Sequence, residues 1–218
     1  MPTRLEFYFD YLSPYAYLAW LRLPSIMASR EVELEPKPTL FAGLLNHWGQ
    51  LGPAEIKPKK QHVFCDCARF AKLHELPFAA PQFHPFRPLL ALRVSLVAVQ
   101  AGCAEPVIDA IFKAGWAKGF DLASETVIGE ALRHAGVDGP ALLASAQSPE
   151  IKHSLRDHTA AATALGVFGV PTIRVNDRSF WGLDQLPYVA LFLDGKDPLD
   201  DIDVDTISPQ GEAASRLG

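Results

Sequence analysis

Three places along this chain of 218 residues carry groups that could do chemistry. The first is Ser13 in the run Leu12-Ser13-Pro14, where a hydroxyl precedes a proline suited to the first position of a helix. A serine there caps the helix. The same helix end, with its partial positive charge and unpaired N–H groups, stabilises an anion, and a hydroxyl adds one more donor. Both uses are open to Ser13. The second place is Val170-Pro171-Thr172. An X-Pro bond takes the cis form at small cost, typically in a tight turn, and a cis Pro171 would present the backbone of Val170 to an extended peptide ligand. An ordinary loop proline is the alternative. The third is a set of basic side chains: Lys60, at a helix start after Pro58, with His84 and Arg87 in the proline-rich loop from Pro81 to Pro88. A solvated surface lysine is an equal reading of Lys60.

The cysteines, Cys65, Cys67 and Cys103, form neither a C-x-x-C pair nor a metal-like set of four. A disulfide framework and a structural metal site are therefore not expected, and the C-x-C reads as two buried or partly buried thiols on a helix. A net charge of -5 with 21% charged residues gives no reason to expect nucleic acid or an anionic membrane as partner. The N-terminus shows no cleavable apolar stretch, and nowhere is there a run of about 18 apolar residues able to span a bilayer. A cytoplasmic protein with a small ligand is the expectation.

The elements that must position these residues follow from periodicity. Leu5 to Asp10 alternates and is aromatic-rich, a strand, and a helix begins at Pro14, with Pro24 expected to kink or restart it before Arg30. Val32 to Pro38 is a second strand, completing a parallel β-α-β unit. Helical spacing then dominates near 59–75, 88–101, 106–118, 124–135, 140–147 and 149–165, punctuated by Ser124 and Ser148 as caps and by Gly102, Gly119, Gly136 and Gly166 at helix ends. Strands return at 172–175 and 179–181 around an Asn176-Asp177 turn, and Asp184 can open a last helix through Leu193. The expected fold class is α/β, a thioredoxin-like fold with a large helical insertion: residues 1–40 and 166–205 form the thioredoxin-like domain, 41–165 the inserted helices, and 206–218 a flexible tail. In that arrangement Ser13 and Val170 should lie side by side.

The segment Phe9-Asp10-Tyr11-Leu12-Ser13-Pro14-Tyr15-Ala16-Tyr17-Leu18-Ala19, the run Gly166-Val167-Phe168-Gly169-Val170-Pro171-Thr172 and the run Phe180-Trp181-Gly182-Leu183-Asp184-Gln185-Leu186 together resemble 2-hydroxychromene-2-carboxylate isomerases, which belong with kappa-class glutathione transferases in the DsbA-like group. The resemblance spans residues 5 to about 193. It implies glutathione as cofactor, with its sulfur held at catalytic Ser13, its backbone on Val170 and Pro171, and the rest of the tripeptide along Trp181, Gly182, Leu183 and Asp184. Trp181 fits the core or an interface equally well, and Asp184 a plain helix cap. The resemblance also implies a homodimer and a small aromatic carboxylate as substrate. Lys60 is the first choice for the carboxylate, beside His84 and Arg87; relatives often carry asparagine at the last position. The implied reaction interconverts 2-hydroxychromene-2-carboxylate and trans-o-hydroxybenzylidenepyruvate through transient addition of the glutathione thiolate. A kappa-like transferase and a non-catalytic binding module remain as alternatives. A disulfide oxidoreductase needs a thiolate at the helix start, and Ser13-Pro14-Tyr15-Ala16 supplies none.

Overall fold

The computed structural model describes residues 2–207; most of the tail expected from 206 onward lies outside the described residues. Strand β1 (Thr3–Phe9) leads through helix α1 (Pro14–Met27) to β2 (Val32–Pro38). Seven helices follow among the described residues: α2 (Phe41–Trp48), α3 (Lys57–Leu73), α4 (Leu89–Gln100), α5 (Ala104–Trp116), α6 (Glu125–His134), α7 (Gly139–Ala146) and α8 (Pro149–Ala164). The chain then returns as β3 (Thr172–Val175), β4 (Arg178–Trp181), α9 (Leu186–Leu193) and a short α10 (Val204–Ile207). The four strands form one sheet in the order β2-β1-β3-β4. Strands β1 and β2 run parallel, while β3 is antiparallel to both β1 and β4. This is the thioredoxin-like α/β arrangement that the strand and helix patterns predict.

Alternation along β1 decides the two faces of the sheet. Leu5, Phe7 and Phe9 point into the main core, together with Ile173 and Val175 of β3. Their aromatic rings continue into the turn after β1 and meet α5. Phe112 of α5 lies 5.5 Å from Phe9, 4.6 Å from Tyr11 and 6.0 Å from Tyr17 between ring centroids. One side chain of a helix far along the chain thus packs against β1, the turn and α1 at once. Tyr8 faces the other way, into a smaller cluster with Leu44 of α2, Ala162 of α8, Val167 and Val170.

Local punctuation behaves as the sequence predicts at several ends. The Oγ atoms of Ser124 and Ser148 accept from the N–H groups of Val127 and Ile151, three residues on. Pro24 does not restart α1, which continues to Met27: the ring removes one N–H, and Ala28 N–H still closes on Pro24 O at 3.0 Å. Asp184 does not open the last helix either, because residues Leu183–Gln185 form a single 3-10 turn first and α9 starts at Leu186. Helix α2 carries no cap signal, its N-cap Leu40 having no side-chain acceptor, and sequence periodicity did not single it out. Among the described residues no helix is long and apolar enough to cross a membrane.

Candidate active site

The turn between β1 and α1 is held at almost every polar group. Ser13 N–H donates to Asp10 O at 3.0 Å, and Leu12 N–H to Asp10 Oδ1 at 3.0 Å, which closes the turn from within. Two side chains from the middle of the chain hold its carbonyls: Trp116 Nε1 donates to Tyr11 O at 2.7 Å, and His84 Nε2 to Leu12 O at 2.9 Å. Tyr11 and Ser95 share a buried hydroxyl bond of 2.6 Å beneath. Ser13 caps α1, its Oγ accepting from Ala16 N–H at 3.1 Å, and Pro14 takes the first helical position.

Ser13 and Val170, 157 residues apart in sequence, meet directly, the Ser13 hydroxyl donating its proton to Val170 O at 3.2 Å. Ser13 is buried, with 8% of its surface accessible. The Val170–Pro171 bond is cis, and a second cis bond, His84–Pro85, falls in the loop that reaches the Ser13 turn. Thr172 Oγ1 donates to Gly169 O at 2.8 Å and steadies the turn ahead of β3. Beyond it, Gly182 N–H donates to Pro171 O at 3.0 Å, so the end of β4 lies against the proline. Gly182 has φ +114°, a conformation closed to residues with a Cβ, and a Cβ there would stand 2.4 Å from Asp184 Oδ1. Trp181 is 54% exposed and stands edge-on to Phe168 at 4.9 Å. Gly169 lies under its indole, since a Cβ at that position would meet Trp181 Nε1 at 2.5 Å. Leu183 is buried and Asp184 is exposed, its carboxylate accepting from Gln185 Nε2.

Two of the three candidate cations come together beside the Ser13 turn. The Lys60 ammonium donates to the carbonyl of His84, whose ring donates to Leu12 O. A carbonyl only accepts, so the His84 proton sits on Nε2 and Nδ1 carries a lone pair, which is buried without a partner. Burial holds His84 below the usual imidazole range, and the nearby Lys60 charge acts in the same direction. His84 therefore stands neutral, with no second proton for a carboxylate, whereas Lys60 retains two donors. Arg87 is exposed and makes no ion pair among the described residues, and the structure does not bring it against Ser13 or Lys60.

Three residues in the site carried no chemical reading in the sequence. Asp10 is fully buried and holds backbone N–H groups from two segments, Leu12 and Phe41. Trp116 supplies the indole under the turn. Tyr15 donates to Asp66 Oδ2 of α3 at 2.9 Å, and burial, then that bond, push its phenol above the usual range. A carboxylate ending an aromatic strand was the available signal for Asp10; the other two pairings had none. Cys67 on α3 is buried, its thiol pushed up mainly by burial, and Cys65 is exposed. Neither lies at the helix start.

A 2-hydroxychromene-2-carboxylate isomerase of Sphingobium xenophagum is 28% identical over 195 residues, covering 88% of this chain and 99% of that protein. A glutathione S-transferase kappa 2 of Caenorhabditis elegans is 29% identical over 210 residues, covering 88% and 93%. A solved structure of a 2-hydroxychromene-2-carboxylate isomerase superposes with a TM-score of 0.81 at 24% identity, over 88% of this chain and 95% of the other, which shows a shared fold. The family model of a DSBA-like thioredoxin domain matches residues 4–194, the stretch from β1 through α9 that contains the Ser13 turn and the Val170 loop, and the chain belongs to that family.

Proposed function

We propose that this protein is a glutathione-dependent isomerase that interconverts 2-hydroxychromene-2-carboxylate and trans-o-hydroxybenzylidenepyruvate. The hydrogen bond from Ser13 Oγ to Val170 O carries the reading, because it joins the helix start, where an anion is favoured, to a backbone carbonyl suited to a peptide. When the cysteinyl N–H of glutathione takes Val170 O, the Ser13 proton is released to turn toward the thiolate sulfur. Binding of the peptide and stabilisation of its sulfur are then one exchange of partners. Trp181, Gly182, Leu183 and Asp184 border the remainder of the tripeptide, and Lys60, with its two remaining donors, meets the substrate carboxylate.

The thiolate adds to the conjugated double bond of the open substrate, forming a C–S bond and moving the π electrons onto the conjugated carbonyl. Rotation about the resulting single bond follows. Return of the electrons restores the double bond in the cis geometry and expels the thiolate, so glutathione leaves unchanged; the phenol oxygen of the cis form then adds to the keto carbon, its proton passing to the former carbonyl oxygen, which closes the hydroxychromene ring. Ser13 acts as donor to sulfur and attacks nothing itself. Ser13→Ala should keep the fold and lower turnover roughly 10- to 1000-fold, the range for one lost donor to an anion. Wild-type kinetics in that variant would sink the assignment. The similarity to a kappa glutathione transferase favours a second reading in which the thioether is the product. Glutathione concentration after many turnovers decides between them: unchanged for the isomerase, consumed one for one for the transferase.

A further inference from the structure

We infer that Asp10 is a positioning residue for Ser13: its carboxylate fixes the turn by holding two backbone N–H groups from separate segments, one on each oxygen. Oδ1 accepts from Leu12 N–H at 3.0 Å, next to Ser13, and Oδ2 accepts from Phe41 N–H at 2.9 Å, at the first residue of α2. Helix α2 needs this acceptor because its N-cap, Leu40, brings no side-chain oxygen. The Asp10 carbonyl adds the bond to Ser13 N–H. One residue thus fastens the Ser13 turn to itself and to the start of α2, whose Leu44 and Phe41 pack with Val170 in the smaller cluster. Both halves of the site, the Ser13 hydroxyl and the carbonyl it faces, are referred to Asp10.

Asp10 is completely buried, and no lysine, arginine or histidine among the described residues acts on it; the titrating neighbour that feels its charge is Tyr11, in the same turn. Burial dominates and raises its carboxyl to about 7, with the two N–H bonds opposing the rise. The oxygens are not equivalent once a proton arrives. A carboxylate accepts on both, whereas a carboxylic acid keeps one good acceptor and gains a donor, and an asparagine amide does the same permanently. Protonation therefore releases either Leu12 or Phe41. A negative Asp10 also disfavours a second anion close by, so its effect on thiolate binding and its effect on orientation have opposite signs. Tight positioning from a residue that weakens anion binding separates this role from mere support, which would lower both.

This inference rests on the thiolate site proposed above, and its test has one arm that does not. In the wild-type protein, backbone 1H–15N resonances of Leu12 and Phe41 should move with pH along one curve with its midpoint near 7, and the curve should vanish in Asp10→Asn. With 2-hydroxychromene-2-carboxylate and glutathione, Asp10→Asn should lower kcat by roughly 10- to 100-fold, as small misplacements of a reacting group do, with KM for glutathione no higher than wild type. Asp10→Glu, which restores two acceptors, should recover part of kcat. Resonances of Leu12 and Phe41 indifferent to pH, or a fall in kcat matched by an equal rise in KM, would overturn the positioning role. If wild type shows no turnover, the functional reading fails, and the amide titration alone decides whether Asp10 governs the turn.

Discussion

The two sides of the candidate site are built in opposite ways. On the α1 side, the Asp10–Ser13 turn is buried, and its backbone is held by Asp10, His84 and Trp116, while its Tyr11 ring packs on Phe112. On the β4 side, Trp181 and Asp184 stand exposed, and the indole is steadied by Phe168 and by the space above Gly169. The first region keeps its geometry whether or not a ligand is present, because moving it would strand buried polar groups. The second offers side-chain surface that a peptide can cover. Orienting one proton toward an anion calls for the first design, and recognising the flanks of a tripeptide calls for the second.

The comparison predicts that substitutions under the turn damage the fold, whereas those beside β4 damage recognition. Trp116→Ala, which empties the space beneath the turn and strands Tyr11 O, should cost about 3–5 kcal/mol in denaturant unfolding. A loss below 1 kcal/mol would mean the turn does not depend on this packing. The pH dependence of stability comes next. Asp10 titrates higher folded than unfolded, so the native state binds the extra proton, and wild type should lose stability relative to Asp10→Asn as pH rises from about 4 to 7. The effect should be on the order of a few kcal/mol, read as a converging or crossing pair of melting curves. A constant gap between the two would show Asp10 titrating normally.

Gly169→Ala should cost about 1–3 kcal/mol, the usual range for overpacking, because its Cβ must displace the Trp181 indole. Retention on immobilised glutathione should fall with it, and unchanged retention would detach the indole from the ligand. The smallest effect on folding belongs to Trp181→Ala, within about 1 kcal/mol in keeping with its exposure, yet glutathione retention should weaken severalfold. A large stability loss there would make Trp181 a core residue and erase the contrast between the two regions.

Local signals were legible where a few neighbouring residues set the outcome. The Ser13 and Ser148 caps, the helical spacing of α3 to α8 and the alternation of β1 read directly from the sequence, because caps and periodicity depend on residues within one or two turns. Helix α2 carries no such local signal, for the same reason in reverse: Asp10, 31 positions earlier, supplies its N-terminal acceptor. Asp184 showed a sound local cap signal that the 3-10 turn at Leu183–Gln185 overrode.

The sequence alone determined the strand and helix order and placed Ser13 at a helix start opposite the loop of Pro171, since a β-α-β unit followed by a β-hairpin leaves few ways to pair four strands. Only the tertiary structure decided what the charged and polar side chains do there. His84 turned from a candidate carboxylate donor into a neutral clamp on Leu12, Lys60 was tied to the His84 carbonyl, and Asp10 became the acceptor joining two segments. Each of these bonds spans between 24 and 72 residues of chain and exists because the docked helices and loops leave a buried carbonyl or N–H within reach of one particular side chain. That demand for satisfaction of buried polar groups is set by the packed fold, and no local pattern of residues encodes it.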